Sequence, residues 1–320
     1  MMDIFWIVVG IIAFLIVLVF TTSYICFRLT FYAVRKDKNS EEFTLPPGKI
    51  YEQYRDIMFK WMKESREIPF KEVEIISFDG LVLKGKYYEG EPGAPVELMM
   101  HGYRGEAERD LCGGIQRAFA LKRNVLIVDQ RACGKSEGNV ITFGVNESRD
   151  CRAWVECIIK MLGPDVRIIL TGISMGAATV VMAASRPLPE NVVGILADCG
   201  YSSAKAIIKN TITEMKLPAD LLYPFVKLGA KIYGHFDVEE NPPIEAVKKC
   251  RVPIIFVHGE DDKFVPCYMS RELFDACTAP KRLVEVAGAG HGLSYMVDGE
   301  GYLKALDEFS AEMGIPNIEF

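Results

Sequence analysis

Val166-Arg167-Ile168-Ile169-Leu170-Thr171-Gly172-Ile173-Ser174-Met175-Gly176-Ala177-Ala178-Thr179-Val180-Val181-Met182 is the stretch that decides the fold of this 320-residue chain. The apolar run 166–171 predicts a buried strand, the next five residues a tight turn with a serine at its apex, and 177–182 a helix of small residues. A serine hydroxyl is a poor nucleophile until a base removes its proton. A turn of this kind lifts the oxygen off the sheet edge, and the following helix aims backbone N–H groups at a reacting carbonyl. Ser174 is therefore a candidate nucleophile, and the small residues beside it allow helix and strand to approach closely.

Working outward, apolar runs alternate with helical periodicity. A hairpin is predicted at Asp79-Gly80 between residues 73–78 and 81–88, followed by strands at 96–100, 125–129, 166–171, 193–197, 253–258 and 282–286. Helices are predicted near 109–122, 147–161, 175–184, 267–277 and 301–313. This alternation implies an α/β fold, with a mostly parallel central sheet covered by helices on both faces. Residues 201–247 are too long for a simple crossover and carry Ile207, Ile208, Ile212, Leu221, Leu222, Phe225 and Tyr233 at helical spacing. Inserted after the strand that ends at Ala197, they predict a small helical lid above the carboxyl ends of the strands.

A serine nucleophile needs a base, and the chain has four histidines, at 101, 235, 258 and 291. His101 and His258 close strands, and His235 falls in the lid. His291, in Ala287-Gly288-Ala289-Gly290-His291-Gly292 after the last strand, stands where a loop swings over the strand ends. The base needs a carboxylate to hold its tautomer. In His258-Gly259-Glu260-Asp261-Asp262-Lys263-Phe264-Val265-Pro266 the choice is Asp262, because the turn closing at Val265-Pro266 aims that side chain inward. Asp198, after the preceding strand, is its rival. An oxyanion hole is expected from the backbone N–H groups of Tyr103, in His101-Gly102-Tyr103-Arg104-Gly105, and of Met175.

The nucleophile, acid, base order Ser174, Asp262, His291, together with Asp129-Gln130-Arg131-Ala132-Cys133-Gly134-Lys135-Ser136-Glu137-Gly138, resembles the α/β-hydrolase superfamily of serine hydrolases over residues 73–313. The second motif is similar to a D-x-R-G-x-G-x-S-x-G loop seen in many members, with Ala132 in place of its first glycine. The Asp-Gly strand entry, Ala197-Asp198-Cys199-Gly200-Tyr201-Ser202 and the acid loop make the chain most similar to membrane-anchored bacterial hydrolases and to Bem46-like and ABHD proteins. The resemblance implies the α/β-hydrolase fold, a hydrolase domain over 73–320, no cofactor, and a carboxylester, thioester or lysophospholipid substrate.

Ahead of that domain, residues 4–27 run without a charge and are long enough to cross a bilayer as a helix. A cleaved signal peptide is the competing reading. Against it, the stretch follows no basic region, exceeds an h-region and ends in Tyr24-Ile25-Cys26-Phe27, so an uncleaved transmembrane anchor is expected. Arg28, Arg35, Lys36 and Lys38 flank it on one side and Asp3 on the other, which puts the catalytic domain on the cytoplasmic face. Residues 28–72 are expected to form a juxtamembrane linker, marked by Pro46-Pro47-Gly48, and an amphipathic helix with Tyr51, Tyr54, Met58 and Trp61. That helix either lies on the membrane or packs on the domain.

Composition removes other classes. A net charge of −6 without a basic stripe disfavours nucleic acid and leaves small or lipid-like acyl substrates as partners. Nine cysteines without C-x-x-C spacing make neither a disulfide framework nor a zinc site. Gly134-Lys135-Ser136 lacks the glycine a P-loop needs, since Asp129 stands there, and Gly288-Ala289-Gly290 lacks the rest of a dinucleotide fingerprint. A serine peptidase, with Glu214, Glu239 or Glu240 holding a substrate amine, and a membrane-tethered scaffold without activity are the alternatives to an esterase.

Overall fold

Burial is nearly continuous along the central strands, which is how strands covered on both faces read. Leu98, Leu126, Leu170, Ile195 and Phe256 enter one apolar cluster, while Met99, Ile127, Ile169, Leu196 and Ile255 enter the clusters on the opposite face. The structure, a computed structural model, describes residues 2–33 and 42–315. Among these, eight strands form one sheet: β1 (Phe70–Ile76), β2 (Val82–Tyr88), β3 (Val96–Met100), β4 (Asn124–Val128), β5 (Ile168–Ile173), β6 (Val192–Asp198), β7 (Ile254–Gly259) and β8 (Lys281–Val286). Their order is β1-β2-β4-β3-β5-β6-β7-β8, with β1, β2 and β4 antiparallel and the remaining pairs parallel. Strand order reverses around β3 and β5, so the loops after these two strands open the crevice where ligands of parallel sheets bind.

The helices are α1 (Met2–Thr30), α2 (Arg55–Glu67), α3 (Ala107–Asp110), α4 (Cys112–Ala120), α5 (Val145–Leu162), α6 (Met175–Ala183), α7 (Ala204–Glu214), α8 (Ala219–Tyr233), α9 (Pro243–Ala246), α10 (Tyr268–Ala276), α11 (Ser294–Val297) and α12 (Gly299–Glu312). Core side chains of α5 and α6 share one face of the sheet, while those of α4 and α12 lie on the other. The strand ends move by a few residues at most from those expected. One helix expected over 109–122 is two, α3 and α4, because Leu111 leaves helical geometry (φ −107°, ψ 6°) ahead of Gly113 and Gly114, both poor helix formers. The segment 201–247 holds α7, α8 and α9, inserted between β6 and β7.

α1 is long and apolar enough to cross a membrane. Its side chains from Ile4 to Val17 are exposed, whereas Ser23, Phe27 and Phe31 are buried against the domain. Of the basic flank, Arg28 stacks on the Tyr32 ring at 3.7 Å, while Arg35, Lys36 and Lys38 lie outside the described residues, as does all of 34–41 in the expected linker. The amphipathic helix α2 packs on the domain, where Met58 and Met62 are buried with Cys112 and Leu293. Tyr51, Met58 and Met62 thereby contribute to the core, and residues 70–72 begin β1.

Candidate active site

Ser174 sits between β5 and α6 with φ 57° and ψ −117°, a conformation that strains an L-residue by roughly 1–3 kcal/mol. The surroundings impose it. Ser174 N–H donates to the Asp198 carbonyl at 2.8 Å, and the flanking glycines allow backbones to touch. A Cβ on Gly172 would lie 2.1 Å from the Gly176 carbonyl oxygen, and one on Gly176 would lie 2.0 Å from that of Met100. The G-x-S-x-G pattern is thus a packing requirement of the strand–turn–helix junction, and its outcome is a serine aimed out of the turn.

His291 Nε2 lies 2.9 Å from Ser174 Oγ, and its Nδ1 lies 2.6 Å from Asp262 Oδ2. The second Asp262 oxygen accepts the N–H groups of Phe264 and Val265, both at 2.9 Å, so the turn at Val265-Pro266 does aim this carboxylate inward. Burial works against the charge on Asp262, yet hydrogen bonds from His258 and His291 hold its carboxyl down at about 2. A carboxylate this acidic stays ionised beside the imidazole and sets Nδ1 as the protonated nitrogen, leaving Nε2 free to accept the serine proton.

The other candidates are committed elsewhere. His258 is fully buried, with Nε2 at 2.8 Å from the Val265 carbonyl and 3.3 Å from Asp262, and Nδ1 at 2.6 Å from Ser270 Oγ. A carbonyl accepts only, so Nε2 carries the proton and His258 supports the acid loop. His101 faces the Gly102 carbonyl through Nδ1 at 2.7 Å and accepts the Gln130 N–H through Nε2 at 3.0 Å. His235 is exposed at the end of α8. The rival acid Asp198 accepts from the Tyr302 hydroxyl at 2.8 Å, and burial pushes its carboxyl up; its Oδ1 finds no partner among the described residues.

Met175 opens α6, so its N–H has no intrahelical acceptor. The loop after β3 meets Ser174 from the other side: a Cβ on Gly102 would stand 3.6 Å from Ser174 Cβ and 3.9 Å from Oγ. Tyr103 follows in the turn, its ring against Phe143 at 5.0 Å. Cys199, at φ 46° after β6, brings its thiol within 4.8 Å of the Asp262 and His291 donor atoms. Burial pushes that thiol well up, which favours its neutral form.

Two contacts lie beyond sequence reasoning. Tyr51, in a short turn of 3-10 helix (Lys49–Tyr54), donates its hydroxyl to the His291 carbonyl at 3.0 Å, and Phe264 sets its ring edge-on to the imidazole at 5.1 Å. Tyr51 registered only as one aromatic in an amphipathic pattern, which carries no information about a partner 240 residues away. A cavity of about 1220 Å³ opens beyond the loop after β3, lined by Lys86, Arg104, Glu108 and Arg109 among others. None of Ser174, Asp262 and His291 lines it, and Glu108 there pairs with Arg66 and with Lys86.

The sequence profile of a family described as "Alpha/beta hydrolase family" matches residues 98–305. The chain is 27% identical over 191 residues to the Bacillus subtilis protein YqkD, a match that spans 59% of this chain and 63% of that one. It is 25% identical over 232 residues to protein bem46 of Schizosaccharomyces pombe, 71% of each chain. Among solved structures, the Pyrococcus furiosus esterase Pf2001 superposes with a TM-score of 0.64 at 23% identity, covering 85% of this chain and 99% of the esterase.

Proposed function

The chain belongs to the alpha/beta hydrolase family, and from that premise we propose that it is a serine hydrolase that cleaves acyl esters or thioesters. The observation that carries the reading is the unbroken hydrogen-bonded line from Ser174 Oγ through His291 to Asp262, 2.9 Å and 2.6 Å long, at the apex of a strained turn. Ser174 Oγ attacks the acyl carbonyl as its proton passes to His291 Nε2. The N–H groups of Tyr103 and Met175 hold the oxyanion, and Asp262 stabilises the imidazolium. Collapse expels the alcohol or thiol, which leaves with the proton from His291. Water, deprotonated by the same nitrogen, then cleaves the acyl-enzyme to release a carboxylic acid and restore Ser174.

An acyl chain or lipid ester is the substrate we favour, since the site stands beside a long apolar helix and beneath an apolar helical insertion that we read as its lid. We read α1 as a membrane anchor, with the catalytic domain on the cytoplasmic face. The peptidase alternative weakens at its amine-binding groups. Glu239 accepts from the Tyr223 hydroxyl at 2.9 Å and pairs with Lys227, and Glu240 pairs with Arg149 at 2.7 Å.

The test is fluorophosphonate labelling and ester turnover by the purified full chain. Wild type should be labelled and active, and Ser174→Ala and His291→Ala should lose turnover while remaining folded. Turnover like that of the wild type in either variant would sink the assignment. On p-nitrophenyl esters, kcat/KM should rise with acyl length beyond acetate; a flat series would remove the lipid-like substrate.

A further inference from the structure

The loop that carries the Tyr103 N–H is held from two sides. Inside the domain, the Gln130 side-chain amide donates to the His101 carbonyl at 2.6 Å, which fixes the start of the loop. Outside, its partner is the last turn of α1. The Tyr103 hydroxyl donates to the Thr30 carbonyl at 2.5 Å, and the Arg104 guanidinium donates to the carbonyls of Leu29 at 2.8 Å and Tyr32 at 3.1 Å. Arg104 also lies 5.0 Å over the Tyr103 ring and takes a left-handed φ of 53°.

The last carbonyls of a helix have no intrahelical donors, and they form its negative end, so a guanidinium is a well-matched cap. That end of α1 is itself anchored. Phe31 is buried against Phe143 and Phe236 at 5.6 and 5.2 Å, and the backbone of residues 31–33 bonds to that of Asn139 and Ile141. Resting on the reading of Ser174 as nucleophile, we propose that Arg104 is a positioning residue for hydrolysis: by gripping the carboxyl end of the apolar helix it holds the Tyr103 N–H against Ser174. The same helix then serves as an outer wall of the oxyanion hole.

Because Arg104 acts through Tyr103, its loss weakens an interaction made with the transition state and leaves ground-state binding intact. Removing an oxyanion donor outright lowers kcat by about 10²–10³-fold, so misplacing one should lower it by about 10–100-fold with little change in KM. A trifluoromethyl ketone, which forms the tetrahedral adduct, should lose affinity by the same factor as kcat/KM.

The experiment uses the full chain in detergent micelles, with active serines counted by fluorophosphonate titration. Arg104→Ala should show the fall in kcat with KM within about threefold, Arg104→Lys should recover part of it, and Tyr103→Phe should move in the same direction as Arg104→Ala. Tyr233→Phe, which removes a different hydroxyl bond to α1, at 3.1 Å from the Phe20 carbonyl, should stay within twofold of wild type. Unchanged kcat per titrated serine in Arg104→Ala would overturn the proposal, and so would an equal loss in Tyr233→Phe, which would mark general loosening of the helix. A folded wild type that neither labels nor turns over would overturn the hydrolase reading with it, whereas an active wild type with an unaffected Arg104→Ala overturns this proposal alone.

Discussion

Asp262 and Asp198 are chemically identical, both are buried near His291, and the fold treats them oppositely. Asp262 receives two backbone N–H groups and two imidazoles and is held at about 2, whereas Asp198 receives one phenol and is pushed up by burial. Asp262→Asn is therefore expected to lower kcat by as much as ~10⁴-fold, because the amide cannot hold Nδ1–H as the donor. Asp198→Asn, whose amide oxygen still accepts from Tyr302, should change kcat by less than about threefold in the same steady-state assay. Linkage adds a pH signature. A carboxyl lowered from 3.8 to about 2 contributes stability that is present in full above pH 4 and is lost as pH falls through 2. That is on the order of 2 kcal/mol. Denaturant midpoints taken between pH 5 and 2.5 should fall more steeply for wild type than for Asp262→Asn. Ala132 shows the other side of residue-scale constraint. It stands where the family motif has glycine, and its φ of 63° is the reason for that preference.

At the scale of elements, α1 and α8 behave as a pair. Tyr233 meets Tyr24 and Phe27 at ring distances of 5.2 and 5.9 Å, and Gly229 lets the helices close: a Cβ there would lie 2.4 Å from the Ser23 carbonyl oxygen. Gly229→Ala inserts a methyl into backbone, and overpacking of this kind costs about 1–3 kcal/mol. The expected result is a lower apparent Tm, with tryptic cleavage between α1 and α8 becoming faster. A variant as resistant as wild type would mean that the two helices are not closely packed in solution.

On the scale of the whole molecule, α1 is exposed over one part of its length and packed on the domain over the other. From Ile4 to Phe20 its apolar side chains are largely exposed, about 25 Å of helix, close to the thickness of a bilayer core. From Ser23 onward it belongs to the domain, where burying Phe27 and Phe31 contributes roughly 1.5–3 kcal/mol each. Deleting residues 4–19 should release the protein from membranes and leave its Tm near that of the full chain. Deleting 4–33 should unpack α8 and the loop at Tyr103 and lower Tm by several degrees. Flotation with liposomes and thermal scans separate the two outcomes.

Much of this architecture was legible in the linear chain, because its causes are local. Apolar runs between turn residues reported the sheet strands, small residues around Ser174 reported the tight junction of β5 and α6, and Pro266 with Asp262 reported the turn that aims the acid. Other features were settled only by folding, because they join residues with no local relation. The 2.6 Å approach of the Asp262 carboxylate to His291 Nδ1 spans 29 residues. The hydroxyl of Tyr51 on the His291 carbonyl and the grip of Arg104 on α1 span 240 and up to 75 residues. Periodicity identifies the apolar helix, but long-range packing alone decides that it ends where Arg104 can cap it.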